Sequence, residues 1–320
     1  MSKKNTILLV VLIIQLAIIG FVYRPGQQQV AQATSFFDFQ VSQISGLTIA
    51  DDEGKTISLA KQGESWLVGE QKYPADQETI LAILKKISEA KSTRLVTRTR
   101  SSHVRLKVAE EVFNRKLTIN LGEADLVVFY LGTSPNSKTI HFRLNGSNDV
   151  YVVKDLSTWE LQADQDSWWQ TKYIDMGMAD LTGLRLKNSG GVIAMTKVDQ
   201  DWGLAGSVPT GMNVSQDKVE SVVESVRKIT ITEYLGKTVP QDLGEPMARI
   251  DYSAGDRLVG LDIWPATEEG GDHVVKGSDQ AFYAKVASYA VKEAMEATID
   301  GFFEEVTEVE EPVEEEKNNQ

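Results

Sequence analysis

The sequence contains no cysteine. That excludes disulfides, zinc ribbons, thiol nucleophiles and a lipid-modified cysteine anchor, so an exported body built from this chain must rely on its hydrophobic cores. Histidine is nearly as scarce: His103, His141 and His273 are the only three. None has a second ligand at helical or hairpin spacing, so no metal site is expected and each reads as a histidine satisfied by its neighbours. The Asp51-Asp52-Glu53-Gly54 cluster lacks the spaced ligands and terminal Glu of a calcium loop and reads as a turn. No Gly-x-Ser-x-Gly elbow is present, no supported Ser-x-x-Lys set, and no phosphate loop. Catalytic, cofactor-binding and metal residues are therefore expected to be none, and the body is read as non-enzymatic.

Basic charge is also short. Lys and Arg number 33 against 46 Asp and Glu, a net charge of −13, which excludes nucleic acid as a partner because phosphate neutralisation needs a basic face. From Glu304 onward the chain has eight Glu and one Lys, so −7 of that charge lies in residues 304–320. This like-charge run is expected to be a disordered acidic tail.

One stretch stands apart from this polar background. Ile7 to Tyr23 is apolar except for Gln15. With Asn5 and Thr6 it has about the ~20 residues a helix needs to cross a bilayer. Phe21 and Tyr23 stand where an interfacial aromatic belt would, and Lys3 and Lys4 outnumber Arg24, which keeps the N-terminus inside. Residues 1–4 are thus a cytoplasmic N-terminus, 5–23 a transmembrane anchor in the inner membrane and 24–43 a linker. The body would stand in the extracytoplasmic space of a bacterial cell. A cleaved signal peptide is the competing reading, since Ala31-Gln32-Ala33 has the form of a cleavage site; it lies about ten residues beyond the apolar run, farther than usual. Phe36, Phe37 and Phe39 read as the first piece of core.

The body states one pattern twice. Leu47 and Ile49 alternate with polar neighbours, as do Ile57 and Leu59 after the Gly54 turn. Ser65-Trp66-Leu67-Val68 is a third short strand. Asp76 then precedes a helix whose apolar stripe is Ile80, Ile83, Leu84 and Ile87, at spacing 0-3-4-7. In the second statement Gly183-Leu184-Arg185-Leu186 and Val192-Ile193 precede Trp202. Ser215 is the expected cap of a helix with stripe Val219, Val222, Val223 and Val226. Further strands are expected at Val104–Val108, Leu117–Leu121, Leu126–Leu131, Ile140–Phe142 and Val150–Val153. In the second copy they are expected at Ile250–Tyr252, Leu258–Trp264 and Phe282-Tyr283. His141 and His273 match, as do Trp168-Trp169 and Phe302-Phe303. The fold class is α+β: two tandem repeats, 44–180 and 181–303, each a mainly antiparallel sheet with one principal amphipathic helix. A repeat of about 130 residues is a domain duplication. Trp66 and Trp202 read as core plugs; Trp159, Trp168 and Trp169, in a polar setting, read as packing between the copies or as an exposed contact.

This order resembles the family of the domain of unknown function 4340. The resembling stretches are Gly46-Leu47, Gly54, Trp66, Tyr73-Pro74-Ala75-Asp76, His103-Val104-Arg105-Leu106-Lys107-Val108-Ala109, Tyr130-Leu131-Gly132-Thr133-Ser134-Pro135 and Asp149-Val150-Tyr151-Val152. The resemblance implies a membrane-anchored accessory or scaffold protein with protein partners in an ABC transporter or cell-envelope assembly. It implies no catalytic residues. The alternative is a periplasmic ligand-binding module for a peptide, glycan or lipid, using a cleft between the two repeats lined by Trp159, Trp168 or Trp169.

Overall fold

The computed structural model describes residues 12–15, 33–92, 94–122, 125–199, 201–241, 243–266, 268 and 270–306. The cytoplasmic segment 1–4, the anchor 5–23 apart from helical Leu12–Gln15, residues 24–32 of the linker and the tail from 307 lie outside the described residues. Among the described residues no helix is long and apolar enough to cross a membrane. The chain divides into two compact units, Met1–Trp66 with Gln77–Ser167, and Leu67–Asp76 with Trp168–Gln320. The units therefore part at Ser167, ahead of the 180/181 boundary read from the sequence, and a ten-residue piece of the first half belongs to the second unit.

In the first unit, strands β1 (Ile44–Asp51), β2 (Thr56–Gln62) and β3 (Ser65–Val68) form a meander. Its first turn is set by Asp51, whose Oδ1 accepts the backbone N–H groups of Glu53 at 3.0 Å and Lys55 at 2.8 Å. Gly54 supplies the left-handed φ of +87° that the turn requires. Next in the chain is β4 (Tyr73–Pro74), within the piece 67–76 that belongs to the second unit; the first unit then continues with α1 (Gln77–Ser88), β5 (Leu95–Thr97), α2 (Arg100–Arg105), β6 (Arg115–Leu121), β7 (Asp125–Leu131), β8 (Thr139–Leu144) and β9 (Val150–Lys154). The nine-stranded sheet runs β4-β3-β2-β1-β6-β7-β8-β9-β5, and the paired strands run antiparallel. Helix α1 buries Ile80, Ile83, Leu84 and Ile87, the whole expected stripe. Part of the stretch read as linker is core: Phe36 packs 4.4 Å from Phe142 and Phe37 5.4 Å from Phe129, centroid to centroid.

One expected strand is absent. Val104–Val108 instead contains the end of α2 followed by turns. Lys107 has φ +54°, a conformation that breaks an extended run, and Val104 is exposed, so the alternation of apolar residues there does not mark a buried face.

The second unit holds β10 (Lys172–Asp175), β11 (Gly183–Asn188), β12 (Gly191–Val198), β13 (Asp201–Leu204), β14 (Met212–Val214) and α3 (Gln216–Val226). It continues with β15 (Lys228–Gly236), β16 (Ala248–Ala254), β17 (Arg257–Trp264), β18 (His273–Gly277), β19 (Tyr283–Val286), α4 (Ser288–Glu296) and β20 (Phe303–Glu305). Nine of these strands make one antiparallel sheet, ordered β10-β15-β19-β18-β17-β16-β11-β12-β13, while β14 pairs with β20. Val219, Val222, Val223 and Val226 of α3 are buried as expected. Ser215 stands at the N-cap, yet its side chain makes no capping bond; it is buried, and its backbone N–H goes to the Phe302 carbonyl at 2.9 Å. Gln216 ties the helix start to Trp202 instead, its amide both accepting from the Trp202 N–H at 2.9 Å and donating to the Trp202 carbonyl at 2.8 Å.

The expectation of one principal helix is corrected here, because α4 is a second helix and packs with α3. It buries only Val291 and Ala294, too narrow a stripe to stand out in the sequence. Residues 67–76 complete this unit. Leu67 pairs with Pro74 and Val68 with Tyr73; the Asp76 N–H donates to the Trp168 carbonyl and the Gln170 N–H to the Pro74 carbonyl, each at 2.9 Å. The fold is thus mostly antiparallel, two large sheets with few helices, an α+β or mainly β arrangement.

Leu84 is fully buried under α1 while Leu81 on the same helix is 38% exposed. Leu84→Ala is expected to lower stability by about 2–5 kcal/mol and Leu81→Ala by less than about 1 kcal/mol, read by denaturant unfolding of the first unit.

Candidate functional site

Each histidine is held by a backbone carbonyl. His141 Nδ1 lies 2.7 Å from the Thr133 carbonyl and 2.9 Å from the Thr133 hydroxyl, and His273 Nδ1 lies 3.0 Å from the Trp264 carbonyl. His103 Nε2 donates to the Asn148 carbonyl at 3.0 Å. Among the described residues no group of three His, Asp or Glu side chains lies close enough together to hold a metal ion.

The tryptophans separate into two kinds. Trp66 and Trp202 are buried in their units. Trp168 is 1% exposed and so cannot line an open cleft. Trp169 meets Tyr73 and Tyr234 edge to face at 5.9 and 5.6 Å, within a cluster where Tyr73 stacks on Tyr234 at 4.9 Å. Its indole N–H is the one buried side-chain polar group without a hydrogen-bond partner among the described residues. Trp159, 72% exposed, is the member of the trio that faces solvent.

The chemically distinctive place lies elsewhere, in the first unit. A cavity of about 330 Å³ is lined by residues of α2, by the loop 109–112, by Arg143 near the end of β8 and by the turn 146–148. Arg143 is only 3% exposed. Its Nε donates to the Val108 carbonyl at 2.5 Å, and its Nη1 to the carbonyls of Ser147 at 3.0 Å and Leu144 at 3.3 Å. The guanidinium carbon lies 4.6 Å from the Tyr130 ring centroid, a cation–π contact favourable to a desolvated cation.

No carboxylate pairs with Arg143 among the described residues. Burial pulls its pKa below the usual arginine range; Tyr130 and Glu110 oppose that pull, while the charge of Arg100 adds to it. The positions are set by backbone that only glycine allows: a Cβ on Gly132 would lie 2.0 Å from the Leu106 carbonyl, and that close approach brings Leu106 and Val108 onto Tyr130. Two of the stretches that carry the family resemblance, 103–109 and 130–135, thus meet at Arg143, and Val150 of a third packs with their Leu106, Val108 and Tyr130. The arrangement presents positively charged hydrogen-bond donors to a small, half-open volume, which is chemistry for holding an anion.

Arg143 was not singled out from the sequence. The signal was present: an arginine two residues after His141, in a strand whose interior is otherwise buried. A charged residue at a strand position with buried neighbours asks for a partner.

A model of the family described as Domain of unknown function (DUF4340) matches residues 66–246, more than half of the chain. No curated protein and no solved structure matches it.

His141 is buried, and burial holds its pKa below the ordinary 6.5, with Arg94 and Arg105 adding to the effect against the Thr133 hydrogen bond. The folded state therefore prefers neutral imidazole. That contribution to stability is complete above pH 6.5 and is lost as pH falls through the lower folded value. Unfolding free energy measured from pH 7.5 down to 4.5 is expected to decline more steeply for the wild type than for His141→Gln.

Proposed function

The chain belongs to the DUF4340 family, and from that premise we propose that it is a membrane-anchored, extracytoplasmic accessory protein that binds components of an ABC transporter or envelope complex. Residues 5–23 hold it in the bacterial inner membrane with the N-terminus inside, and two copies of one α+β fold form the body.

The observation that carries the reading is the strand order. Eight of the nine strands of each sheet follow one order from the meander, β3-β2-β1-β6-β7-β8-β9-β5 in the first and β13-β12-β11-β16-β17-β18-β19-β15 in the second; the ninth strand is β4 on the meander side of the first sheet and β10 on the far side of the second. Taken in chain order the two sets of eight are the same permutation, each with a helix, α1 or α3, following the meander. Detail supports it further. The residue before α1 gives its N–H to the Trp168 carbonyl, and the residue before α3 gives its N–H to the Phe302 carbonyl, each at 2.9 Å. His141 and His273 each reach a carbonyl at or just beyond the end of the preceding strand. A duplicated sheet domain behind an apolar N-terminal segment suits a role in holding partners at the membrane face. The transporter association follows from the family resemblance. The alternative of a tryptophan-lined cleft has lost Trp168 as a lining residue.

Crosslinking in intact cells, followed by detergent extraction and affinity capture of the full-length chain, is expected to recover transporter subunits from the membrane fraction. Capture of the chain alone, or its release by salt washing of membranes, would overturn the reading.

A further inference from the structure

We propose that the Arg143 cavity is a binding site for a small monocarboxylate with an apolar body. This inference rests on the first unit and is independent of the transporter role. The guanidinium has five N–H donors. Nε and Nη1 are engaged with the carbonyls of Val108, Leu144 and Ser147. Those bonds explain Arg143 as a clamp between the 108 loop and the 144–147 turn. They leave Nη2 without a carbonyl or carboxylate partner among the described residues, on a side chain that lines the cavity beside the Tyr130 hydroxyl. The counter-charge acting on this buried cation is that of Glu110, which is exposed on the rim and forms no ion pair with it among the described residues, so the pairing that burial calls for is incomplete.

The rest of the lining narrows the class. Arg100, exposed at the start of α2, places a second positive charge where it acts on Arg143, and an anion held between like charges relieves their repulsion. Glu110 and Glu111 lie on the same rim, which disfavours dianions such as phosphate and suits a ligand of single negative charge. Val104 and Val112, also in the lining, are 55% and 39% exposed and offer an apolar surface. The volume of about 330 Å³ stands at the small end of the range for ligand pockets, roughly 300–1,000 Å³. A carboxylate on Arg143 with a short aliphatic body against the valines uses each of these features.

The test is saturation-transfer NMR on the full-length chain in detergent micelles, with isovalerate as probe, isovaleramide as its uncharged isostere and inorganic phosphate as the dianion. Arg100→Glu is the main variant, because Arg100 is exposed and its loss leaves the clamp intact; circular dichroism checks its fold. Arg143→Gln is the second. The expected result is saturable transfer to the isovalerate methyl groups, about tenfold weaker for the amide and in Arg100→Glu. No saturable binding, equal binding of acid and amide, undiminished binding in folded Arg100→Glu, or preference for phosphate would each overturn the assignment.

Discussion

The backbone pairing of residues 73–76 with 168–170 is the constraint on which the second unit depends. A strand segment buried among other elements must place its N–H and C=O groups on partners. Here Pro74 and Asp76 find theirs in Gln170 and Trp168. Once that ladder forms, Tyr73 lies against Tyr234, Phe282 and Trp169, and the aromatic cluster of the second unit is complete. Ten residues from within the first half of the chain thus serve a core made largely by the second half. Helix α1, which begins one residue later at Gln77, belongs to the first unit. The junction between Asp76 and Gln77 is therefore shared by two cores, and the helix start is fixed by backbone bonding on one side and by the Ile80–Ile87 stripe on the other.

The parts legible in the sequence were those where one physical signal dominated. The stripes of α1 and α3 follow from burial at 3.6-residue periodicity, and the first hairpin from Gly54 and the Asp51 side chain. What was not legible was decided by context. Helix α4 buries two residues, so its amphipathic signal is faint. Strand β15 alternates, but it follows α3 without a turn signal, Arg227 alone separating them. The Val104–Val108 stretch alternates correctly and is still not a strand, because the left-handed Lys107 turns the chain back toward β7. Ser215 has the right identity for a cap and lies at the cap, yet it is buried where its hydroxyl does not reach the helix amides.

The candidate site was illegible for a related reason. Its components come from α2, the loop after it, β8 and the following turn, and none is adjacent to another in a recognisable motif. Arg143 differs from the surface arginines in its burial, its three carbonyl partners and its lack of a carboxylate, and these are properties of the fold. The same distinction separates the histidines, which are consumed by structural hydrogen bonds, from Arg143, which retains donors.

Hydrogen exchange at the Asp76 amide, in the full-length chain, tests the shared-junction account most directly. If Asp76 belongs to the second unit, Val223→Ala in α3 will release its protection while Leu84→Ala in α1 leaves it protected. Loss of protection in Leu84→Ala, with Asp76 undisturbed by Val223→Ala, would show that residues 67–76 fold with the first unit and would contradict the account.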